Sequence, residues 1–192
     1  MSWNIKKYMS ARDLSWKILL DGGVHVLPVQ VSALCRSIGI TVKLYSGEEG
    51  SDGESAIIAG QPLILVNRNK PVPRQRFTAA HELGHIMLGH VGEGMPAHRG
   101  MSPEDEAMEQ EANVFASRLL APACVLWGCG VRSAEDIVKL CDISRQAAEF
   151  RWQRFQKLQR RERFLTSPLE QRVLEQFRNY IERHKLSGFD NL

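Results

Sequence analysis

The segment from Arg76 to His90 constrains this chain more than any other, because it contains the pattern H-E-x-x-H. Positions four residues apart share one face of a helix, so His81 and His85 are expected to present both imidazoles to a single metal ion. Glu82 lies about 100° further around the helix from His81, where its carboxylate is placed to take a proton from a water molecule at the metal. A proline near the predicted first turn and apolar residues at helical spacing favour a helix with one buried flank. The pattern therefore predicts a metal site, with Zn²⁺ as the ion.

A zinc site of this kind takes a third ligand from the protein and leaves the fourth position open. His90 is a poor candidate as long as the helix continues, because it lies about 180° around the helix from His81. A second predicted helix, at residues 103–122, supplies carboxylates instead. Glu109 lies at the edge of the apolar face of that helix and is the preferred third ligand. Glu106, one turn earlier on a similar face, stays open as the alternative.

Other residues near the predicted site are interpreted from their positions. Asn113 lies one turn after Glu109, where its amide is placed to hydrogen-bond the free ring nitrogen of a ligand histidine. Glu111 lies about 200° from Glu109, beside Arg118, and is interpreted as a solvent-facing charge. His98 is in the loop between the two helices and is interpreted as an exposed loop histidine, with a role at the substrate or oxyanion as the alternative. The sequence does not identify the oxyanion-stabilising group.

These motifs resemble those of the ImmA/IrrE family of metallo-endopeptidases. The resemblance rests on His81-Glu-Leu-Gly-His85 preceded by Arg-Phe-Thr, and on Glu109-x-x-Ala-Asn-x-Phe-Ala-x-x-Leu-Leu-x-Pro. Less specific similarity covers residues 27–160. The resemblance implies that His81, His85 and Glu109 bind Zn²⁺ and that Glu82 is the catalytic glutamate. It further implies a cytoplasmic zinc protease, from bacteria or their mobile elements, that relieves repression by cleaving a helix-turn-helix repressor.

Apolar periodicity along the chain predicts an α+β fold. Together with the resemblance, this gives a zincin-like core in which a small β-sheet lies beside the H-E-x-x-H helix and the glutamate-bearing helix, followed by a C-terminal helical segment. The predicted domains are a metallopeptidase domain at residues 1–125 and a helical segment at residues 126–192 that packs on the core. The other predicted elements are helices at 10–20 and 28–38, strands at 40–45, 55–59 and 62–66, and helices at 133–142, 145–158 and 167–186.

The C-terminal helices leave a second function open. Residues 133–158 have the spacing of a helix-turn-helix, and residues 145–185 contain eleven Lys or Arg against five Glu. Phe150, Trp152 and Phe155 are bulky and apolar, which favours packing or partner docking over DNA contact. The alternative function is therefore a non-catalytic regulator that binds DNA or a protein partner through these helices.

The composition sets limits on partners and compartment. A net charge of +3 is too small to indicate a nucleic-acid binder by itself. The longest apolar run, at residues 119–131, is too short to span a bilayer, and no apolar segment follows the lysines near the N-terminus. The chain is therefore expected to be cytoplasmic, with no membrane partner. Its four cysteines include no C-x-x-C pair and no zinc-finger spacing, and without a secretion signal they are expected to be buried, reduced thiols, with a metal or redox pair at Cys124 and Cys129 as the alternative.

Overall fold

The structure of the protein is a computed structural model that describes residues 10–46, 52–93 and 102–186. Its strands are β1 (Thr41–Tyr45), β2 (Gly53–Ile58) and β3 (Gln61–Asn67). The helices in the described residues are α1 (Ala11–Asp21), α2 (Val31–Ser37), α3 (Val72–Leu88), α4 (Pro103–Leu120), α5 (Ala123–Gly128), α6 (Ala134–Cys141), α7 (Arg145–Arg160), α8 (Pro168–Gln176) and α9 (Arg178–His184). None of these described helices is long and apolar enough to cross a membrane. The combination of helices with a small sheet confirms the predicted α+β class.

The sheet has the strand order β1-β3-β2, with β3 at its centre. β2 and β3 form an antiparallel hairpin, and both residues of its turn, Ala59 and Gly60, have positive φ (50° and 74°). Positive φ at both positions matches the right-handed twist of the flanking strands. β1 pairs with β3 in parallel on the other side. β2 is therefore an edge strand, and Ile57 on it forms an isolated bridge with Glu93.

The ends of α3 follow from its sequence. Pro71 is the N-cap and a further proline lies within the first two helical positions, where a missing backbone N–H costs nothing. The helix ends at Gly89, which has a φ of 81° in the left-handed region that glycine tolerates without a steric penalty. His90 therefore lies beyond the helix. The expectation that His90 lies about 180° around the helix from His81 applied only to a continuing helix, and the helix ends before this residue.

Two glycines allow other elements to approach α3 closely. A Cβ atom at Gly84 of α3 would lie 3.3 Å from Cα and from the carbonyl oxygen of Ala112 on α4. A Cβ atom at Gly53 of β2 would lie 2.5 Å from Cγ2 of Thr78 on α3. The absence of side chains at these two positions lets β2 and α4 both pack directly against α3.

The chain forms two compact units. The first consists of Met1–Ser15 and Gln30–Ala116, and the second of Trp16–Val29 and Ser117–Leu192. The residues predicted to bind the metal all lie in the first unit. The predicted division into domains between residues 125 and 126 stays a prediction.

The C-terminal helices begin mostly where their sequence predicts. The side chains of Ser133, Ser144 and Ser167 each accept a hydrogen bond from the backbone N–H three residues later, as N-cap serines do. The single helix predicted at residues 167–186 is wrong, because the backbone breaks at Phe177 and gives α8 and α9. α5 was not predicted. It begins after Pro122, within the apolar run at residues 119–131.

The four cysteines are free and buried, as the sequence predicts. Burial raises the pKa of Cys35, Cys124 and Cys129 to about 12. These thiols therefore stay protonated at neutral pH and are poor nucleophiles.

Candidate metal centre

Three side chains from α3 and α4 converge in the first unit. Nε2 of His81 lies 3.0 Å from Nε2 of His85, because the two residues are one helical turn apart on the same face. Glu109 on α4 places Oε2 3.2 Å from Nε2 of His81 and Oε1 3.3 Å from Nε2 of His85. The structure thus brings together the three residues that the sequence predicts as ligands.

The geometry of this cluster fits a metal ion. Ligand atoms about 2.0–2.2 Å from a tetrahedral zinc ion lie roughly 3.3 Å from one another. The two imidazole nitrogens lie 3.0 Å apart, and each lies 3.2 or 3.3 Å from a different oxygen of Glu109, so these separations are close to that value. Two imidazole nitrogens and one carboxylate are also donors that zinc and neighbouring transition metals accept. The residues present therefore fit a divalent ion of this class.

The burial of the ligands differs across the cluster. The side chain of His85 is 2% exposed and that of His81 is 14% exposed, whereas that of Glu109 is 38% exposed. Within the described residues, the cluster therefore reaches the protein surface on the side of Glu109. This is where solvent reaches the cluster.

Glu106, the alternative third ligand, is not part of the cluster. Within the described residues, the ligand atoms of His81, His85 and Glu109 all lie within 4.8 Å of one another, and Glu106 does not belong to this group. Its side chain is exposed. The helical position of Glu109, three residues further on, is the one that faces α3.

Glu82 is buried and is held by a hydroxyl from the sheet. Its side chain is only 2% exposed, and the Ser55 hydroxyl on β2 donates to Oε2 of Glu82 at 2.7 Å. Ser55 is itself buried at 1% exposure. Sequence reasoning missed Ser55, because the two residues are 27 positions apart and no local pattern connects them. The contact gives the carboxylate next to His81 a fixed orientation.

His90 and Glu111 lie directly behind His85. The backbone turns back after Gly89, and the His90 N–H donates to the His85 carbonyl oxygen at 2.9 Å. Nδ1 of His90 lies 3.2 Å from Nδ1 of His85, and Nε2 of His90 lies 3.1 Å from Oε2 of Glu111. Glu111 is 58% exposed, as the sequence predicts for a solvent-facing charge, and it also contacts His90. The signal that would have revealed the contact is the helix-ending glycine before His90.

The His90 imidazole is shielded from solvent, with a side-chain exposure of 8%. Burial lowers the pKa of His90, because it disfavours the charged imidazolium, and the hydrogen bond to Glu111 opposes that shift. The net lowering favours the neutral ring. A neutral ring has one nitrogen that donates and one that accepts.

The structure does not bring Asn113 to either candidate ligand histidine. Its side chain is exposed, and Nδ1 of His85 faces His90 instead. Nδ1 of His81 is buried without a hydrogen-bond partner among the described residues. The supporting role of Asn113 stays a prediction, and His98 lies outside the described residues.

Comparison with protein families gives a match over more than half of the chain. The family model described as Peptidase_M78: IrrE N-terminal-like domain matches residues 35–153. This range contains the residues of the cluster together with Ser55, His90 and Glu111. The chain has no match among curated proteins. The family match confirms the resemblance indicated by the two motifs.

Proposed function

Because this chain belongs to the peptidase M78 family, we propose that it is a zinc-dependent endopeptidase with a zincin-like catalytic core. The observation that carries the proposal is the convergence of His81, His85 and Glu109 in one cluster of possible ligand atoms. Glu82, buried on the same helix as the two histidines, supports it. The proposed location is the cytoplasm.

The proposed mechanism assigns each residue a role. His81, His85 and Glu109 would hold Zn²⁺, which when bound lowers the pKa of water and polarises the scissile carbonyl. Glu82 takes a proton from the attacking water and delivers it to the nitrogen of the leaving amine. The Ser55 hydroxyl binds one oxygen of the Glu82 carboxylate and so keeps its orientation during both transfers.

The edge strand is the proposed position of the substrate. β2 lies at the edge of the sheet, and Ser55 on it reaches Glu82. A peptide that pairs with the main chain of β2 would therefore lie close to the proposed base. In the described part of the chain, Ile57 already bridges to Glu93 on the outer side of β2. Such pairing is then proposed close to Ser55, before this bridge.

The proposed protein substrate is a transcriptional repressor with a helix-turn-helix domain, whose cleavage would relieve repression in a bacterium or mobile element. This part of the proposal is supported by the resemblance of the two motifs to the ImmA/IrrE family. The β2 edge supports only the general form of the substrate, an extended segment of polypeptide.

A trapping experiment with two variants tests the proposed function. Glu82→Gln removes the base and leaves all three ligands, so it is expected to bind Zn²⁺ and to cleave nothing. His81→Ala removes a ligand and is expected to lose both properties. Tagged forms of both are expressed in the native host, and co-purifying proteins are identified by mass spectrometry. A repressor that is retained by Glu82→Gln alone and cut by the wild type supports the proposal, whereas normal cleavage by Glu82→Gln refutes the mechanism.

A second candidate function is binding of DNA or a protein partner through residues 133–185. The exposed basic side chains of α7, among them Arg154 and Lys157, favour it, and so does Phe150, which is 65% exposed. Arg151 of the same helix does not contribute to such a surface, because it is fully buried and its Nε donates to a backbone carbonyl at 2.7 Å.

Duplex-binding measurements separate the two functions. Strong, salt-sensitive binding that survives His81→Ala favours the regulator, because phosphate contacts release counterions. Absence of duplex binding together with metal-dependent loss of a repressor favours the peptidase.

A further inference from the structure

We propose that His90 and Glu111 are positioning residues that fix the ring of His85 in the tautomer and orientation that bind metal. The inference rests on the proposed metal site. It starts from a continuous row of contacts, in which Glu111 lies against Nε2 of His90, and Nδ1 of His90 lies against Nδ1 of His85. Nε2 of His85, at the far end of this row, faces Glu109 and His81 in the cluster.

The hydrogen-bonding capacity of each group permits one proton arrangement along this row that leaves His85 able to bind metal. An ionised carboxylate only accepts hydrogen bonds, so Glu111 requires a proton on Nε2 of His90. Only one proton fits between Nδ1 of His90 and Nδ1 of His85, which lie 3.2 Å apart, and we place it on His85, with Nδ1 of His90 as the acceptor. His85 is left with a lone pair on Nε2, the atom that faces the cluster. A metal ligand needs this lone pair.

The opposite arrangement would not bind metal. A proton on Nδ1 of His90 would make Nδ1 of His85 the acceptor and move the proton of His85 to Nε2. That proton would point at Oε1 of Glu109, 3.3 Å away. Glu111 therefore selects, through His90, the tautomer of His85 that is competent to bind the ion.

The backbone after α3 makes this contact possible. Gly89 takes a left-handed conformation, and the next residue folds back so that its N–H reaches the carbonyl oxygen of His85 at 2.9 Å. The rings of His85 and His90 meet edge to face, with centroids 5.2 Å apart and planes at 70°. His90 is thereby tied to His85 through both its backbone and its ring.

The two candidate histidine ligands differ in this respect. His85 has a partner on its outer nitrogen, whereas Nδ1 of His81 has none among the described residues. Loss of a hydrogen bond behind a ligand histidine typically weakens metal binding about 10- to 100-fold. His90 is therefore expected to influence metal affinity through His85.

The test measures the affinity of the metal-free full-length protein for Zn²⁺ by competition with a chromophoric chelator. His90→Leu keeps a similar volume and removes the acceptor, so the affinity is expected to fall about 10- to 100-fold. His90→Asn keeps an acceptor oxygen near the position of Nδ1, so it is expected to restore much of the loss. This rescue would not occur if His90 served only to fill space.

The contribution of Glu111 is tested in two backgrounds. Glu111→Ala is expected to lower the affinity about two- to fivefold in the wild type, because its carboxylate is partly exposed and water replaces it. It is expected to change nothing in His90→Leu, because Glu111 acts through His90. Glu104→Ala removes another exposed carboxylate of α4 and is the control, with unchanged affinity expected.

The outcomes distinguish the inference from the proposed function. A wild type that binds no Zn²⁺ overturns the metal site and the inference with it. A wild type that binds Zn²⁺ no better than His90→Leu overturns the inference alone, as does an equal loss from Glu111→Ala in both backgrounds. If circular dichroism shows that His90→Leu does not fold, the test rests on His90→Asn and Glu111→Ala. Wild-type affinity in Glu111→Ala then overturns the inference. An affinity loss in Glu111→Ala that is larger than that of Glu104→Ala supports it.

Discussion

Ser55→Ala is the substitution that most directly tests how Glu82, the proposed base, is held. The Ser55 hydroxyl donates to Oε2 of Glu82 at 2.7 Å, and both side chains are almost completely buried. The substitution removes only the donating oxygen and leaves the backbone of β2 unchanged. Any change in the free energy of unfolding therefore reports on this hydrogen bond.

The expected loss follows from the charge and burial of the pair. A hydrogen bond to a charged group contributes about 1.5–3 kcal/mol to stability, against roughly 0.5–1.5 kcal/mol for a neutral pair. We therefore expect Ser55→Ala to lower the free energy of unfolding by about 2 kcal/mol. For a urea m-value of about 2 kcal/mol per molar, the midpoint falls by roughly 1 M.

Urea unfolding followed by far-UV circular dichroism measures this change. The control is Ser37→Ala in the same unit, since the exposed Ser37 hydroxyl donates only to a backbone carbonyl, at 2.8 Å. In the Glu82→Gln background the partner is neutral, so the loss caused by Ser55→Ala should be about half as large. Ser55→Ala is also expected to keep its Zn²⁺ affinity and to lose peptidase activity. If Ser55→Ala costs no more stability than Ser37→Ala, the argument for a buried ionic hydrogen bond is refuted.

Other predictions concern the third ligand, the close approaches to α3 and the acid stability. Glu109→Gln is expected to abolish tight Zn²⁺ binding and Glu106→Gln to leave it unchanged, as chelator competition will show. Gly53→Ala is expected to destabilise the protein by about 1–3 kcal/mol in urea unfolding, because its Cβ would lie 2.5 Å from a backbone oxygen of β3. Gly84→Ala is expected to destabilise the protein less. Its Cβ would lie 3.1–3.3 Å from the nearest atoms of α4. Replacing a glycine inside a helix also stabilises that helix by about 1 kcal/mol. Asp52→Asn is expected to reduce the loss of stability at acid pH. A hydrogen bond from the Arg74 guanidinium on α3 lowers the pKa of Asp52. The pair therefore adds up to about 1 kcal/mol to the free energy of unfolding above about pH 4 and loses this contribution as the pH falls further.

The ligand cluster is the part of the site that helical periodicity predicts well. His81 and His85 are four residues apart on one helix, so their convergence follows from helix geometry alone. Glu109 was preferred because it lies at the edge of an apolar face, and this face is the one that α4 turns toward α3. Local spacing is sufficient in these cases because each inference concerns one face of one helix.

The contacts around the cluster depend on chain positions that local spacing does not specify. Ser55 reaches Glu82 across 27 residues, and this contact requires the sheet to be placed beside α3. The position of His90 depended on whether the helix continued, and the glycine before it is a helix-ending signal. Because the helix ends before it, His90 lies behind His85 and contacts Glu111. A helical projection of α4 alone does not show this contact.

The C-terminal helices show a similar limit. The N-cap serines of α6, α7 and α8 can be predicted from the sequence, because capping is a local interaction. The break at Phe177 has no glycine or proline to mark it. Phe177 and the nearby Ile181 are both buried, so packing within the second unit, and not helix propensity, sets the path of the chain there.

The two close approaches to α3 connect the backbone geometry to the chemistry of the site. Gly53 and Ser55 lie on one face of β2, and Thr78 and Glu82 lie on one face of α3, so the contact of Gly53 with Thr78 sets the distance at which Ser55 meets Glu82. In the same way, Gly84 meets the α4 backbone at Ala112, three residues after the proposed ligand Glu109, and this contact limits how far the Glu109 carboxylate lies from the two histidines. A larger residue in β2 should therefore disturb the base while metal binding persists, and a larger residue at position 84 should weaken metal binding first. The proposed base and the proposed metal ligands are thus positioned by separate contacts on one helix.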